Sequence, residues 1–165
     1  MTEITTYYLE QTSRDAICRK PPVEGFVVLE AKVKQYQYNR FFYESVGADW
    51  EWNDKLKWSD TEWKQYAERE SLHLFVGYFQ GSPAGYFELE RQNEGAIEIS
   101  YFGLMPAFIG KGLGGFLLTS ALENAWQMKE TNRVWVHTCS LDHPGALQNY
   151  QSRGMRIYHQ ETSKQ

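Results

Sequence analysis

The sequence predicts an α+β fold built on a mixed sheet, and two observations carry this prediction. Segments with strand and helix patterns follow one another as strands, two helices, a meander, a helix, a strand, a helix and a strand. The chain has 165 residues, of which 42% are hydrophobic, so it is long enough to bury one core and has the size of one ordinary domain. We therefore expect residues 1–165 to form a single domain.

The first 70 residues are expected to contribute two strands and two helices. Residues 4–10 and 26–33 have strand patterns, and we expect both strands to form an edge of the sheet. A helix is predicted over 39–46, where apolar residues recur at helical spacing before a glycine. Ser59 and Glu62 have the spacing of a capping box, which predicts the start of a second helix.

The middle of the chain is predicted to be an antiparallel meander. Residues 72–79 and 83–90 form strands that a hairpin turn at 80–82 joins. A third strand follows over 97–102, where side chains alternate with period two. A backbone bulge at its end, around 102–104, is expected to expose an N–H group.

The last third alternates helices and strands. A long amphipathic helix is predicted over 113–128 and a strand over 134–139. A second helix opens at 142–145, and a final strand runs over 155–159. The sequence contains no internal repeat and no low-complexity tract.

A cluster of glycines precedes the long helix. Gly110, Gly112, Gly114 and Gly115 fall within six positions, so the backbone can approach a ligand closely and aim several N–H groups at it. The positive end of the helix points into the same turn, which favours a phosphate or pyrophosphate. The alternative is that the glycines only make a tight turn.

Two other phosphate-binding patterns fit less well. Gly110, Gly112 and Gly115 match the G-x-G-x-x-G spacing of dinucleotide sites, which is a weak signal alone. That fold needs a strand that ends at the first glycine and an acidic residue at the tip of the next strand. Pro106 separates the strand from the glycines, and no acidic residue follows in the required place. The Walker pattern is absent.

The glycine cluster resembles the acyl-CoA-binding motif of the GNAT superfamily of N-acetyltransferases. The motif reads Arg/Gln-x-x-Gly-x-Gly/Ala, and its glycines fall on Gly112 and Gly114, with Ile109 at the first position. A second signature of the family, a tyrosine four positions before a glycine, falls on Tyr150 and Gly154. The resemblance implies a mostly antiparallel sheet with helices on both faces and a splayed strand pair that holds the acyl-CoA.

The resemblance also implies acetyl-CoA as co-substrate and a set of contacts to it. The phosphates would lie on the glycine turn, and the pantetheine arm would pair with the splayed strand. The amide of Asn149 would support the arm; the alternative is an exposed asparagine on a helix. The residues expected to bind the cofactor are Gly103, Leu104, Met105, Ile109, Gly110, Lys111, Gly112, Leu113, Gly114, Gly115 and Asn149.

Acetyl transfer to an amine requires a group that accepts the amine proton and a group that neutralises the leaving thiolate. Glu98 lies on the strand that leads to the glycine turn and is the candidate base; the alternative is a solvated surface carboxylate. Glu88 and Glu90 on the neighbouring strand are weaker candidates, for which surface charge is the favoured interpretation. Tyr150 is the candidate acid, as the resemblance implies, and the alternative is a tyrosine packed in the core.

The acceptor is expected to enter beside residues 43–63, the variable substrate region of the resembled family. Tyr43, Trp50, Trp52 and Asp54 combine aromatic faces with a carboxylate, and this combination suits an ammonium group. The alternative is that the tryptophans cover the core. For any single tryptophan that alternative is the better supported one.

Composition excludes several other classes of function. The net charge of −4 and the pI near 5.6 argue against a nucleic-acid partner. Two cysteines without C-x-x-C spacing and four unpaired histidines predict no metal site. No apolar run is long enough for a membrane span and no leader pattern opens the sequence, so we expect a cytoplasmic protein. We expect it to be a monomer or a homodimer.

These observations predict an acetyl-CoA-dependent N-acetyltransferase whose acceptor is a small-molecule or peptide amine. The alternative from another class is a catalytically silent acyl-CoA-binding or regulatory module of the same fold. The glycine turn is common to both, and only turnover distinguishes them.

Overall fold

The computed structural model describes residues 2–164 and, within them, one sheet of seven strands together with four α-helices. The strands are β1 (Glu3–Gln11), β2 (Phe26–Glu30), β3 (Leu72–Phe79), β4 (Ser82–Arg91), β5 (Ala96–Leu104), β6 (Arg133–Cys139) and β7 (Arg156–Lys164). The helices are α1 (Tyr36–Gly47), α2 (Asp60–Ala67), α3 (Gly114–Gln127) and α4 (Ala146–Ser152).

The strands lie in the order β2-β3-β4-β5-β6-β1-β7. Every neighbouring pair is antiparallel except β5 and β6, which run parallel. The predicted α+β fold with a mixed, mostly antiparallel sheet is therefore confirmed. The expectation that the first two strands form an edge of the sheet is right for β2 and wrong for β1, because β1 lies between β6 and β7.

Successive side chains of a strand point to opposite sides of the sheet, so both faces carry apolar side chains. Helices cover both of these faces. Phe87 and Leu89 of β4 pack in the larger core, which also contains Leu117 of α3. Tyr86 points to the other face and packs with Phe42 of α1. The sheet is thus the middle layer between α3 and α4 on one side and α1 and α2 on the other.

Helix α2 begins where the sequence predicts. Ser59 Oγ accepts a hydrogen bond from the Glu62 N–H at 3.2 Å, and Glu62 Oε1 accepts one from the Ser59 N–H at 3.1 Å. This reciprocal pair is a capping box. It satisfies two backbone donors that the first turn would otherwise leave without partners.

The predicted bulge in β5 exists, but it lies two residues earlier than expected. Glu88 pairs with Tyr101 and Leu89 pairs with Ile99, so Ser100 has no partner in β4. The extra residue shifts the alternation of side chains. Ile99 and Phe102 therefore both face the larger core, whereas Tyr101 faces α1.

Candidate active site

The parallel strands β5 and β6 separate after a short paired region. Their pairing ends at Glu98 and Trp135, and the second halves of both strands diverge. A cavity of about 630 Å³ lies between these halves. It is lined by Ile99–Leu104 of β5, Val136–Cys139 of β6, the glycine turn and parts of α4. The splayed strand pair that the resemblance implies is therefore present.

The glycine turn lines one part of this cavity. Gly110 and Gly112 have positive φ angles of 86° and 77°, a backbone region that residues with a side chain rarely adopt. A Cβ atom on either would meet no atom within 4 Å, so open space faces both residues. Ile109 lines the cavity as well, whereas Lys111 is exposed and does not line it.

Helix α3 starts at Gly114 without a side-chain cap. The residue before it, Leu113, is apolar and buried, so no side chain accepts the N–H groups of the first turn. A Cβ atom on Gly114 would lie 3.8 Å from Leu104 Cδ1 and 3.8 Å from Asn149 Nδ2. The site thus offers free backbone donors, a positive helix end and space that a side chain would fill, all of which suit a phosphate.

Asn149 of α4 is tied to the glycine turn. Its Nδ2 donates to the Gly114 carbonyl at 3.1 Å, and the side chain lines the cavity. Met105, by contrast, does not line the cavity, and its N–H donates to the Ala84 carbonyl at 2.8 Å. Gly103 and Leu104 line it. Because successive N–H groups of a strand point to opposite sides, the Leu104 N–H is directed away from β4 and towards the opening.

Glu98 lies beside the cavity but does not form part of its lining. Its side chain is 15% exposed, and Gln92 Nε2 donates to its Oε1 at 3.0 Å. Burial, together with the charge of Glu90, raises the pKa of Glu98 to about 7. A carboxyl group with this pKa is partly ionised near neutral pH and can accept a proton.

His137 of β6 links Glu98 to the cavity. Its imidazole lines the cavity, and Nε2 lies 3.8 Å from Glu98 Oε2. Desolvation by the surrounding side chains lowers the pKa of His137, an effect that the charges of Asp142 and Asp54 oppose. The ring is therefore mainly neutral at pH 7 and can pass a proton from one nitrogen to the other.

Tyr150 of α4 lines the cavity from the side of the larger core. The residue is 5% exposed, and its ring lies 5.9 Å from that of Phe102. Within residues 2–164 no side chain or backbone group forms a hydrogen bond with its hydroxyl. Burial, and then the charge of Asp142, raises the pKa of Tyr150, so the phenol remains protonated at physiological pH.

Trp50 and Trp52 form an aromatic wall of the cavity together with Tyr101. The rings of Trp52 and Tyr101 lie 5.0 Å apart, and Trp52 also packs on the core beneath α1. Trp52 is thus both a cavity wall and part of the core. Glu51 provides a carboxylate at the same wall.

Tyr43 lies away from the cavity, and Asp54 is only partly available to a ligand. Tyr43 is buried, and its hydroxyl donates to Asp54 Oδ1 at 2.8 Å. Asp54 lines the cavity, but its Oδ2 accepts hydrogen bonds from Tyr101 and from Lys55 Nζ, each at 3.0 Å. Burial raises the pKa of Asp54, but the hydrogen bonds outweigh this effect and lower it.

Lys55 itself occupies an aromatic cage. Its Nζ lies 4.7 Å from the centre of the Trp58 ring and 5.0 Å from those of Tyr66 and Tyr101. The sequence predicted that aromatic faces and the Asp54 carboxylate would bind the ammonium group of the acceptor. The ammonium group of Lys55 already occupies part of this environment.

The two weaker carboxylate candidates are not surface charges. Glu88 is 1% exposed and accepts hydrogen bonds from Asn39 Nδ2 at 2.8 Å and from the Tyr66 hydroxyl. Burial raises the pKa of Glu88. Glu90 forms an ion pair with Arg69. Neither residue lines the cavity. Glu88 connects α1 and α2 to the sheet, and Glu90 connects the segment after α2 to it.

Sequence reasoning missed His137 and Lys55. His137 was visible as a polar residue that alternates with valines in a predicted strand, but nothing local places it next to Glu98, which is 39 positions earlier. Lys55 stands between tryptophans in the sequence, a pattern that fits a cage as well as a loop. In both cases the contact depends on which strands become neighbours.

Within residues 2–164, no group of three or more His, Cys, Asp or Glu side chains is arranged to hold a metal ion. The same residues contain no helix with the length and apolar character needed to cross a membrane.

Comparison with known proteins places this geometry in a family. The family model described as acetyltransferase (GNAT) family matches residues 34–155. No curated protein matches the chain. Solved structures that resemble it include a GCN5-related N-acetyltransferase from Kribbella flavida, at 14% identity and a TM-score of 0.69 over 96% of this chain and 56% of the other.

Two further structures show the same likeness. A GCN5-related N-acetyltransferase from Sphaerobacter thermophilus has 16% identity and a TM-score of 0.69 over 95% of this chain and 49% of its own. An IAA acetyltransferase from Bacillus cereus has 20% identity and a TM-score of 0.61, covering 81% and 79% of the two chains. The chain therefore spans about half the length of the first two proteins. At these identities the likeness establishes the fold.

Proposed function

The chain belongs to the acetyltransferase (GNAT) family, and from this premise we propose that it transfers the acetyl group of acetyl-CoA to a primary amine. The observation that carries the proposal is the continuity of one cavity from the glycine turn, through the opening between β5 and β6, to the wall formed by Trp50 and Trp52. A phosphorylated thioester and an amine can enter such a cavity from its two ends.

The phosphates would bind at the start of α3, where the N–H groups have no cap and Gly114 leaves space. The pantetheine arm would lie along the free edge of β5. In this position the Leu104 N–H can donate to the arm or to the thioester carbonyl, since β4 does not use it.

An amine that binds as an ammonium must lose two protons. The first leaves before the attack and frees the lone pair of the nitrogen, and the second leaves to solvent after the N–C bond has formed. The electron pair of the C–S bond goes to the sulfur. The amine nitrogen attacks the carbonyl carbon, the N–C bond forms, and the C–S bond breaks with its electrons on the thiolate. Glu98 accepts the first of these protons through His137, whose Nε2 lies 3.8 Å from Glu98 Oε2. The thiolate then takes up a proton from solvent to give the free thiol.

Tyr150 would stabilise the thiolate by donating a hydrogen bond to it. Because burial raises its pKa above the ordinary phenol value, full proton transfer to a thiol with a pKa near 8.5 is uphill. A hydrogen bond from a protonated phenol avoids that cost and acts only when charge develops on the sulfur.

The acceptor would contact Trp50, Trp52 and Glu51, the groups of the cavity wall that the Lys55 cage does not use. A cationic amine fits this aromatic and acidic wall. Both small-molecule and peptide amines have this chemistry.

Calorimetric titration with acetyl-CoA, followed by a thiol-release assay across a panel of amines, tests the proposal. We expect saturable binding and amine-dependent thiol release. Binding without turnover on any amine would indicate the silent acyl-CoA-binding module instead, and absence of binding at millimolar acetyl-CoA would overturn both functions.

A further inference from the structure

Arg153 is a buried cation without a partner. It follows α4, its residue is 8% exposed, and Nε forms no hydrogen bond with any atom of residues 2–164. None of the ion pairs formed within that range includes Arg153. Burial of a guanidinium without a counter-charge costs folding free energy. A bound anion next to Arg153 would offset that cost.

This arginine lines a second cavity, which the glycine turn also lines. The cavity has a volume of about 560 Å³ and also contains Lys20 and Gln148 in its lining. It shares Gly112, Gly114 and Asn149 with the first cavity. A ligand bound at the glycine turn can therefore extend into both.

Gly115 lets two cations lie against the first turn of α3. A Cβ atom at this position would be 2.7 Å from Arg153 Nη1 and 2.7 Å from Lys20 Cγ. The Lys20 N–H donates to Thr119 Oγ1 at 2.9 Å, which fixes the Lys20 backbone to α3. A guanidinium, an ammonium and the positive end of a helix thus converge on one cavity.

We propose that Arg153 and Lys20 form an anion subsite that binds a phosphate group of the acyl-CoA. This inference rests on the proposed function. Within the glycine turn, Ile109 has no polar group and Lys111 does not line either cavity, so the turn itself presents no cationic side chain to the ligand. Arg153 supplies that charge from the position directly after α4, and Lys20 supplies it from the segment between β1 and β2.

Acetyl-CoA carries two kinds of phosphate, a pyrophosphate and a 3′-phosphate, and three ligands distinguish them. Acetyl-CoA has both, acetyl-dephospho-CoA has only the pyrophosphate, and acetyl-pantetheine has neither. Calorimetry measures the affinity of each ligand for the wild type and for two variants. Arg153→Leu replaces the buried charge by an apolar side chain. Lys20→Gln changes an exposed side chain and leaves the core intact.

We expect Arg153→Leu to weaken acetyl-CoA binding by about 10-fold to 100-fold, the usual effect of losing a charge-assisted hydrogen bond, and to leave acetyl-pantetheine unaffected. If the loss persists with acetyl-dephospho-CoA, the subsite binds the pyrophosphate; if it disappears, the subsite binds the 3′-phosphate. Lys20→Gln is expected to show the same pattern with a smaller loss and a weaker dependence on salt.

Arg19→Gln is the matched control, since Arg19 precedes Lys20, pairs with Glu123 and lines neither cavity. Its affinity for all three ligands should equal that of the wild type. Unchanged acetyl-CoA affinity in folded Arg153→Leu and Lys20→Gln would overturn the subsite while the wild type still binds. If Arg153→Leu does not fold, Lys20→Gln alone decides. A wild type that binds no acetyl-CoA would instead overturn the proposed function.

Discussion

The indole Nε1 of Trp52 donates a hydrogen bond to Asp142 Oδ1 at 3.3 Å, and both residues line the cavity between β5 and β6. Asp142 also accepts hydrogen bonds from Thr138 Oγ1 at 2.5 Å and from the Cys139 N–H at 3.1 Å. The loop after α1 is thereby connected to the end of β6. The hydrogen bond to Asp142 fixes Trp52, which forms part of the cavity wall, relative to the end of β6.

Trp52→Phe should raise the KM for the amine acceptor and leave the KM for acetyl-CoA nearly unchanged. A phenyl ring retains much of the contact with Tyr101 but loses the bond to Asp142 and part of the aromatic face. A whole cation–π contact is worth roughly 0.5 to 2 kcal/mol, so its partial loss should raise this KM by no more than about thirtyfold. Steady-state kinetics in both substrates provide the measurement.

Trp52→Ala is the comparison that separates binding from packing. It should add a loss of stability of about 3 kcal/mol, seen in thermal or denaturant unfolding, because the indole also packs on the core. Equal changes of both KM values in the folded Trp52→Phe variant would contradict an acceptor role for this wall.

Gly114→Val should weaken acetyl-CoA binding by at least about tenfold without loss of stability. Gly114 is the first residue of α3 and does not have a positive φ angle, and its Cβ would make only ordinary contacts at 3.8 Å. The branched side chain would nevertheless fill the space before the uncapped N–H groups. Calorimetry measures the affinity.

Gly114→Ala completes the series as an internal control. Alanine is favoured over glycine in the middle of a helix by roughly 0.5 to 1 kcal/mol, and Gly114 is the first residue of α3, so the melting temperature should not fall, while affinity falls less than for valine. Affinity that does not decrease from glycine to alanine to valine would remove the argument for phosphate binding at this turn.

Patterns among residues close in the sequence predicted the helices and strands whose ends depend on neighbouring residues. The capping box at Ser59 places the start of α2, and the predicted strand over 72–79 coincides with Leu72–Phe79. The position of β1 could not be predicted in this way, because Thr6 pairs with Cys139 on one side and with Glu161 on the other. Such pairings depend on contacts between distant parts of the chain.

The same distinction between short motifs and contacts of distant residues applies to the candidate site. The glycine turn and Tyr150 could be identified from short motifs, and the structure brings both to one cavity. The relation of Glu98 to His137 depends on the parallel pairing of β5 with β6, which extends over only three residue pairs. The Arg153 side chain lies against Gly115, which is 38 positions away in the sequence, and no local pattern indicates that contact.

Glu98→Gln should flatten the rise of kcat/KM with pH near pH 7. In the wild type the carboxyl group, whose pKa is raised to about 7, becomes a competent base only as it ionises. Loss of a general base typically costs about 100-fold to 10,000-fold. A pH–rate profile for both proteins measures the effect, and a loss below about threefold would exclude Glu98 from the reaction.

The same substitution should stabilise the protein at high pH. Because the folded state has the higher pKa, it binds more protons than the unfolded chain between pH 4.5 and about 7, and stability falls as the pH rises through this window. Glu98→Gln removes that loss, which amounts to at most about 3 kcal/mol. Unfolding curves should therefore show a gain at pH 8 and none at pH 4; the opposite pattern would mean that Glu98 is stabilised as a carboxylate.

Tyr150→Phe should lower kcat while the affinity for acetyl-CoA stays the same. The hydroxyl has no hydrogen-bond partner among residues 2–164, and the ring packs beside Phe102, so phenylalanine preserves the packing and removes only the donor that faces the cavity. Loss of a hydrogen bond formed mainly in the transition state costs about 100-fold to 1,000-fold in kcat.

The thioester's leaving group provides a sharper test of Tyr150 than the rate alone. If the phenol stabilises the thiolate, an acetyl thioester with a more acidic thiol should depend less on it, and the ratio of wild-type to Tyr150→Phe rates should shrink as the thiol pKa falls. Tyr43→Phe is a matched control, since it removes a buried hydroxyl that bonds Asp54 and does not line the cavity. Its rate ratio should not vary with the thiol. A Tyr150→Phe ratio that is equally independent of the thiol would place the tyrosine in the packing of the core and not in the departure of the thiolate.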